Sequence, residues 1–166
     1  MTLSTQQAQP CAENTIDFSS LSAWFINTSL KRIADQIHTR LLLGVSGDIM
    51  KRAGVSVEHL HMLDFVIPPG VQPDVTEYGR DRDEWPKVWE KVKAADILVI
   101  GTPLWLGEDS SVCRMPIERL YGMSGLLNEK GQSIYYGKVG GSVITGNEDV
   151  VKHAAMTICY ALSHLG

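Results

Sequence analysis

The sequence predicts an open, doubly wound α/β fold built around a parallel sheet. Three observations carry that expectation. Short apolar runs alternate with helix-period segments, the pattern of βαβ units joined by right-handed crossovers. Two of the runs, residues 96–101 and 138–145, are apolar on both faces, as strands covered by helices on both sides must be. The length of 166 residues suits one domain with a sizeable core and falls far short of a closed eightfold barrel.

Residues 1–21 read as a flexible polar tail, and 22–166 as the folded domain. The tail lacks the basic and apolar regions of a secretory signal. The run SAWFIN, Ser22 to Asn27, is the first strand. Residues 38–52 form a helix, with Leu41, Leu42, Val45 and Ile49 at helical spacing. Lys51 and Arg52 fall in its last turn and Gly54 just past it, a good stop signal. Residues 55–63 alternate irregularly and give a second strand. Residues 64–83 contain Pro68, Pro69, Gly70, Pro73 and Gly79, so a long irregular loop of the kind that makes lids or interfaces is expected. Within it, the acidic–basic run at 81–84 reads as solvated.

Residues 84–95 place Trp85, Val88, Trp89 and Val92 on one helical stripe, with Pro86 tolerated in the first turn. The buried strand 96–101 follows, then a helix over 110–122. Pro116 inside that helix predicts a kink or a later start. A Gly-rich connection leads to the strand 138–145 and a final helix over 148–165.

Composition removes several function classes. Lys and Arg total 15 against 19 Asp and Glu, a net charge of −4, which argues against a dedicated nucleic-acid binder. No apolar run approaches the roughly 20 residues needed to span a bilayer. Cys11, Cys113 and Cys159 are odd in number, widely spaced and without a CxxC, so neither a disulfide framework nor a zinc site is expected, and a reducing cytoplasm is the simplest setting. The chain lacks GxGxxG after the first strand, and it lacks GxxxxGK[ST], HExxH and GxSxG. Dinucleotide-fingerprint, triphosphate-loop and hydrolase readings therefore have no support. His59 and His61 share a strand face without a third ligand, so no metal is expected.

In an open α/β sheet, ligands bind beyond the carboxyl ends of the strands. Three strand-end loops are then candidates. The first, Asn27-Thr28-Ser29-Leu30-Lys31-Arg32, offers hydroxyls, backbone N–H groups and positive charge, with His38 and Thr39 opening the next helix. A helix N-terminus with converging N–H groups suits a phosphate, although an ordinary polar turn uses the same residue types. The second, Gly101-Thr102-Pro103-Leu104-Trp105-Leu106-Gly107, puts large apolar side chains where solvent is expected. A flat ligand or the protein itself, such as the Pro-rich loop, must cover them. The third, Thr145-Gly146-Asn147-Glu148-Asp149, allows close backbone approach at Gly146 and a helix cap at Asn147. Together they offer an anion cradle, an apolar platform and a polar rim, a combination that suits a cofactor with one phosphate and a planar ring.

The segments FINTSLKR, ADILVIGTPLWLGEDSSV, IERLYG and VGGSVITGNEDVVKH, in that order, resemble the flavodoxin-like NADPH-dependent FMN reductase family. The likeness runs from about Ala23 to Gly166. It implies a three-layer α/β/α sandwich with a parallel sheet of order 2-1-3-4, the fifth strand of the family pattern missing together with its helix. It implies FMN as cofactor and NADPH or NADH as co-substrate, with hydride passing through FMN to a quinone, flavin or similar acceptor. Carried over by position, Thr28, Ser29, Leu30, Lys31, His38 and Thr39 would hold the phosphate. Pro103, Leu104, Trp105, Leu106 and Gly107 would border the ring. Thr145, Gly146, Asn147 and Glu148 would meet its polar edge, with His153 one helical turn onward. The resemblance leaves the catalytic residues unknown, because the flavin carries the chemistry. A flavodoxin-type electron carrier, or a domain of this fold that has lost its cofactor, is the alternative. An apolar strand at 138–145 lying at a sheet edge further predicts a homodimer.

Overall fold

The computed structural model describes residues 3–33, 37–147 and 149–166. Its central element is a parallel sheet of β1 (Ser22–Asn27), β2 (Ser56–His61), β3 (Ile97–Trp105) and a later strand, Val139–Thr145. The parallel strands lie in the order 2-1-3-4, as the family resemblance implies, with Val139–Thr145 hydrogen-bonded along β3. A fifth strand does exist, but it is a short antiparallel return on β3. This is β4 (Glu108–Asp109), paired through Leu104↔Asp109 and Trp105↔Glu108. Val139–Thr145 is therefore β5.

Helices cover both faces. Alternate residues of the inner strands point opposite ways, and they sort into two cores. Trp24, Ile26, Leu98 and Ile100 face α3 (Trp85–Ala94), α4 (Ser111–Gly122) and α5 (Val151–Leu165), meeting Trp85, Val88, Trp89, Leu120 and Ile158. Ala23, Phe25 and Val99 face the other way, onto Leu43 of α2 (His38–Arg52). The bounds of α2, α3 and α4 lie within a residue of the apolar patterning, because each of these helices buries one stripe, whereas α5 starts at Val151 rather than at 148.

The buried stripe of α2 differs from expectation. It is Thr39, Leu43 and Gly47, while Leu42 is exposed. The stripe holds a Thr and a Gly, so apolar spacing alone missed it. Close approach explains the glycines here. A Cβ at Gly101 would come within 2.5 Å of Leu43, so Gly101 lets α2 settle against the sheet.

Other departures have local causes. The segment read as a polar tail carries a helix, α1 (Thr5–Glu13), started by a capping box in which Ser4 and Gln7 bond each other's backbone N–H, a pairing written in the sequence as S-x-x-Q. Strand β3 runs on through Trp105 rather than ending at Gly101. Strand β1 stops at Asn27, opposite Gly101, so Pro103 lies where β3 has only β5 beside it, and its missing N–H costs no sheet bond. Pro116 sits inside α4, which starts at Ser111 with Ser110 as its cap, so the later start does not occur. The run at 81–84 is not all solvated. The side chain of Asp83 is fully buried against that of Arg119, at 2.5 Å.

A candidate flavin-phosphate cleft

The carboxyl ends of β1, β3 and β5 open on one cleft of about 460 Å³, within the usual size range of small-molecule sites. The strand register explains the convergence. Asn27 lies beside Gly101, and Pro103 beside Thr145, so the three following segments leave the sheet at one edge. Ser29, Leu30 and Lys31 form one side with His38 and Thr39. Pro103, Leu104 and Trp105 form the second, and Thr145, Gly146 and Asn147 the third. Ile37 also lines the cleft. It is an apolar residue at a helix cap, which a search for polar ligands passes over.

The first side gathers hydroxyl, backbone N–H and lysine groups. Backbone Ser29 N–H donates to Asn27 Oδ1 at 3.1 Å, which turns the chain sharply after β1. Ser29 is buried, yet its Oγ has no hydrogen-bond partner among the described residues. A buried hydroxyl left unpaired costs about 1–3 kcal/mol, so a ligand atom in the cleft would relieve it. Helix α2 starts at the same place with Ile37 at its cap. Among the described residues no side chain caps it, and its first turn holds no acidic residue, so its first N–H groups and positive dipole end are available to an anion. Lys31 has no ion-pair partner among the described residues. Thr39 Oγ1 and Thr145 Oγ1 meet at 2.7 Å, which ties the anion side to the end of β5.

The second side is apolar and firmly backed. Leu104 is buried and Trp105 is 46% exposed, facing the cleft rather than lying under the Pro-rich loop. Gly146 allows the third loop to run against this wall, since a Cβ there would come within 2.9 Å of the Leu104 Cβ.

Some sequence-predicted site residues lie elsewhere. Thr28 is fully buried beneath the cleft, where its Oγ1 and its N–H both donate to the Gly101 carbonyl at 2.8 Å. Ser110 Oγ donates to the Thr28 carbonyl at 2.8 Å, so Thr28 joins the first and second loops from below. Leu106 and Gly107 form the turn between β3 and β4, with φ of 54° and 79°. The Leu106 side chain is 92% exposed. Glu148 lies outside the described residues. His153 Nε2 lies 2.9 Å from Glu108 Oε1, holding α5 to β4.

Of the cysteines, Cys113 is buried while Cys159 is exposed. Burial pushes the Cys113 thiol up to about 12, helped by Asp109, so it is no nucleophile at neutral pH. Among the described residues, no group of three or more His, Cys, Asp or Glu is placed to hold a metal ion. No helix among them is long and apolar enough to cross a membrane.

Parallel order 2-1-3-4, helices on both faces and a cleft at the strand ends define a flavodoxin-like α/β protein. The model of one family, NADPH-dependent FMN reductase, matches residues 26–165. The chain belongs to that family. It is 52% identical over 149 residues to the divalent metal cation transporter MntH of Mycobacterium bovis, covering 90% of this chain but 22% of that protein. It is 32% identical over 152 residues to the 8-demethyl-8-aminoriboflavin-5'-phosphate synthase of Streptomyces davaonensis, covering 89% of this chain and 59% of that protein. A crystal structure of RosB with the bound intermediate 8-demethyl-8-formylriboflavin-5'-phosphate superposes with a TM-score of 0.79 at 33% identity, covering 88% of this chain and 60% of that one. The chain thus spans less than two thirds of the length of these relatives.

Proposed function

We propose that this chain is an FMN-dependent oxidoreductase that takes hydride from NADPH or NADH and passes electrons to a small acceptor such as a quinone or a flavin. One observation carries the reading most. The buried, unpaired Ser29 Oγ sits with Lys31 and the uncapped start of α2 on one side of a cleft whose other side is apolar. That donor set suits a phosphate monoester, and the Pro103–Leu104–Trp105 wall suits a flat ring. FMN joins the two, and when bound it supplies the ring that accepts hydride and passes electrons on.

The chain's own part is binding and orientation. Ser29, Lys31 and the first turn of α2 hold the phosphate. Leu104 and Trp105 exclude water along one side of the ring. Asn147, across the cleft, offers an amide to its polar edge. Family membership supports the same assignment.

The test is the visible spectrum of the purified protein with and without FMN, followed by NADPH consumption with a quinone acceptor. A flavin absorbance band, a higher melting temperature with FMN and acceptor-dependent NADPH oxidation are expected. Protein that gains neither absorbance nor thermal stability in excess FMN overturns the reading.

One observation favours a second reading, in which a riboflavin 5'-phosphate derivative is substrate rather than cofactor. The 33% identical RosB structure holds such a molecule as an intermediate. Mass spectrometry of the flavin after turnover separates the two, because a cofactor is recovered with its mass unchanged.

A further inference from the structure

We infer that His61, at the carboxyl end of β2, is a positioning residue for the phosphate loop. The inference rests on the reading of the cleft as a flavin-phosphate site. It concerns a residue outside that cleft, on the far side of the loop.

His61 is the last residue of β2, and its register partner on β1 is Asn27. The imidazole therefore projects from the strand next to the start of the loop. Its Nε2 lies 2.8 Å from the Ser29 carbonyl oxygen. A carbonyl only accepts, so Nε2 carries the proton and donates. The other ring nitrogen, Nδ1, faces Asp64 Oδ1 at 3.8 Å.

Ser29 is thus held from two directions. Its N–H donates to Asn27 Oδ1 and its carbonyl accepts from His61. Among the described residues its Oγ is left unpaired. A second tie lies alongside, since the Arg32 guanidinium donates to the Leu63 carbonyl. The segment at the end of β2 therefore grips the loop at both Ser29 and Arg32. A loop free to relax would turn the Ser29 hydroxyl toward some protein acceptor. Pinning the backbone on both sides keeps it available to a ligand. The His61 bond also acts through the peptide unit it reaches. A carbonyl that accepts a hydrogen bond makes the N–H of the same peptide, here that of Leu30, a stronger donor, and Leu30 lines the cleft.

The test compares two amides that differ in reach. The amide of Gln overlays imidazole Nε2, whereas that of Asn overlays Nδ1 and falls short. FMN affinity is read by quenching of flavin fluorescence. His61→Asn is expected to bind FMN about tenfold more weakly than wild type, the loss of one buried hydrogen bond. His61→Gln is expected to stay within about threefold of wild type, less than half that loss on the same energy scale. The ³¹P resonance of bound FMN should move in His61→Asn and keep its wild-type position in His61→Gln. Equal affinity in all three proteins overturns the inference, and so does an equal loss in both variants. Wild-type protein that binds no FMN overturns the cleft reading itself, an outcome distinct from either.

Discussion

Ser29 is the residue whose surroundings say most about ligand chemistry. Its backbone is tied at both ends, while its hydroxyl is buried and unpaired among the described residues. A carboxylate there would face the phosphate with like charge and no water to screen it. Ser29→Asp is therefore expected to abolish FMN binding while leaving the far-UV spectrum native. Undiminished FMN affinity in a fluorescence titration would sink the assignment of this loop. His59, two residues before His61, makes a different case. Burial, with Lys51 and Arg40 nearby, holds its pKa below the ordinary 6.5, and Asp48 only partly offsets them. Its folded-state pKa lies below the unfolded value, so the unfolded chain binds the proton more readily. Stability should fall as pH drops from about 6.5 toward the folded pKa. His59→Gln should flatten that part of the profile, as read from urea midpoints between neutral and mildly acidic pH.

Among the elements, the hairpin joining β3 to β4 departs from its local sequence preferences. Its two central residues, Leu106 and Gly107, both have positive φ, the signature of a type I′ turn. Gly adopts that conformation freely, but an L residue with a Cβ does so at a cost of about 1–2 kcal/mol. Leu106→Asn creates the favoured Asn-Gly pair and should stabilise the protein by about 0.5–1 kcal/mol, seen as a higher urea midpoint at an unchanged slope. No gain, or a loss, would show that the exposed Leu106 side chain has a role that outweighs the turn. The hairpin was hard to read in the sequence for the same reason. Leu-Gly is not a turn signal, and the apolar run Pro103–Leu104–Trp105 looked like a loop awaiting a cover. The helices α2, α3 and α4 were legible to within a residue, because apolar periodicity and stop signals are local, whereas α1, which buries no residue, reads as a tail.

Across the whole molecule, one contact fastens the Pro-rich loop to the core. Asp83 precedes α3 and Arg119 lies in α4, and their fully buried side chains meet at 2.5 Å. Asp83 also accepts from the Val75 and Trp85 N–H groups at 3.0 and 2.9 Å, and Arg119 donates to the Pro73 carbonyl at 3.1 Å. Removing one partner of a buried pair leaves the other charge stranded. Asp83→Ala should cost about 3–5 kcal/mol and raise protease sensitivity in residues 64–83. A loss under about 1 kcal/mol, typical of exposed pairs, would contradict that picture. The sheet itself leaves β5 bonded along one side to β3 among the described residues. Its Val139 is 60% exposed. An open strand edge is a template for pairing, so we propose that a second copy of the chain pairs there. Light scattering should show a mass that rises with concentration, and a constant monomer mass over a hundredfold range would refute it.

The sequence by itself determined the alternating βα units of a parallel sheet and the three strand-end loops, because alternation and the strand-end rule depend on residues close together in the chain, while the strand order came from the family resemblance. Only the tertiary structure could decide which residues of those loops face the cleft. Thr28 turns inward to Gly101, 73 positions away in sequence, while Ser29 lines the cleft with a buried hydroxyl left unpaired among the described residues. It alone could also bring His61 to Ser29, 32 positions apart, and Asp83 to Arg119, 36 apart. Such pairings are set by sheet register and helix packing, and no spacing rule along the chain contains them.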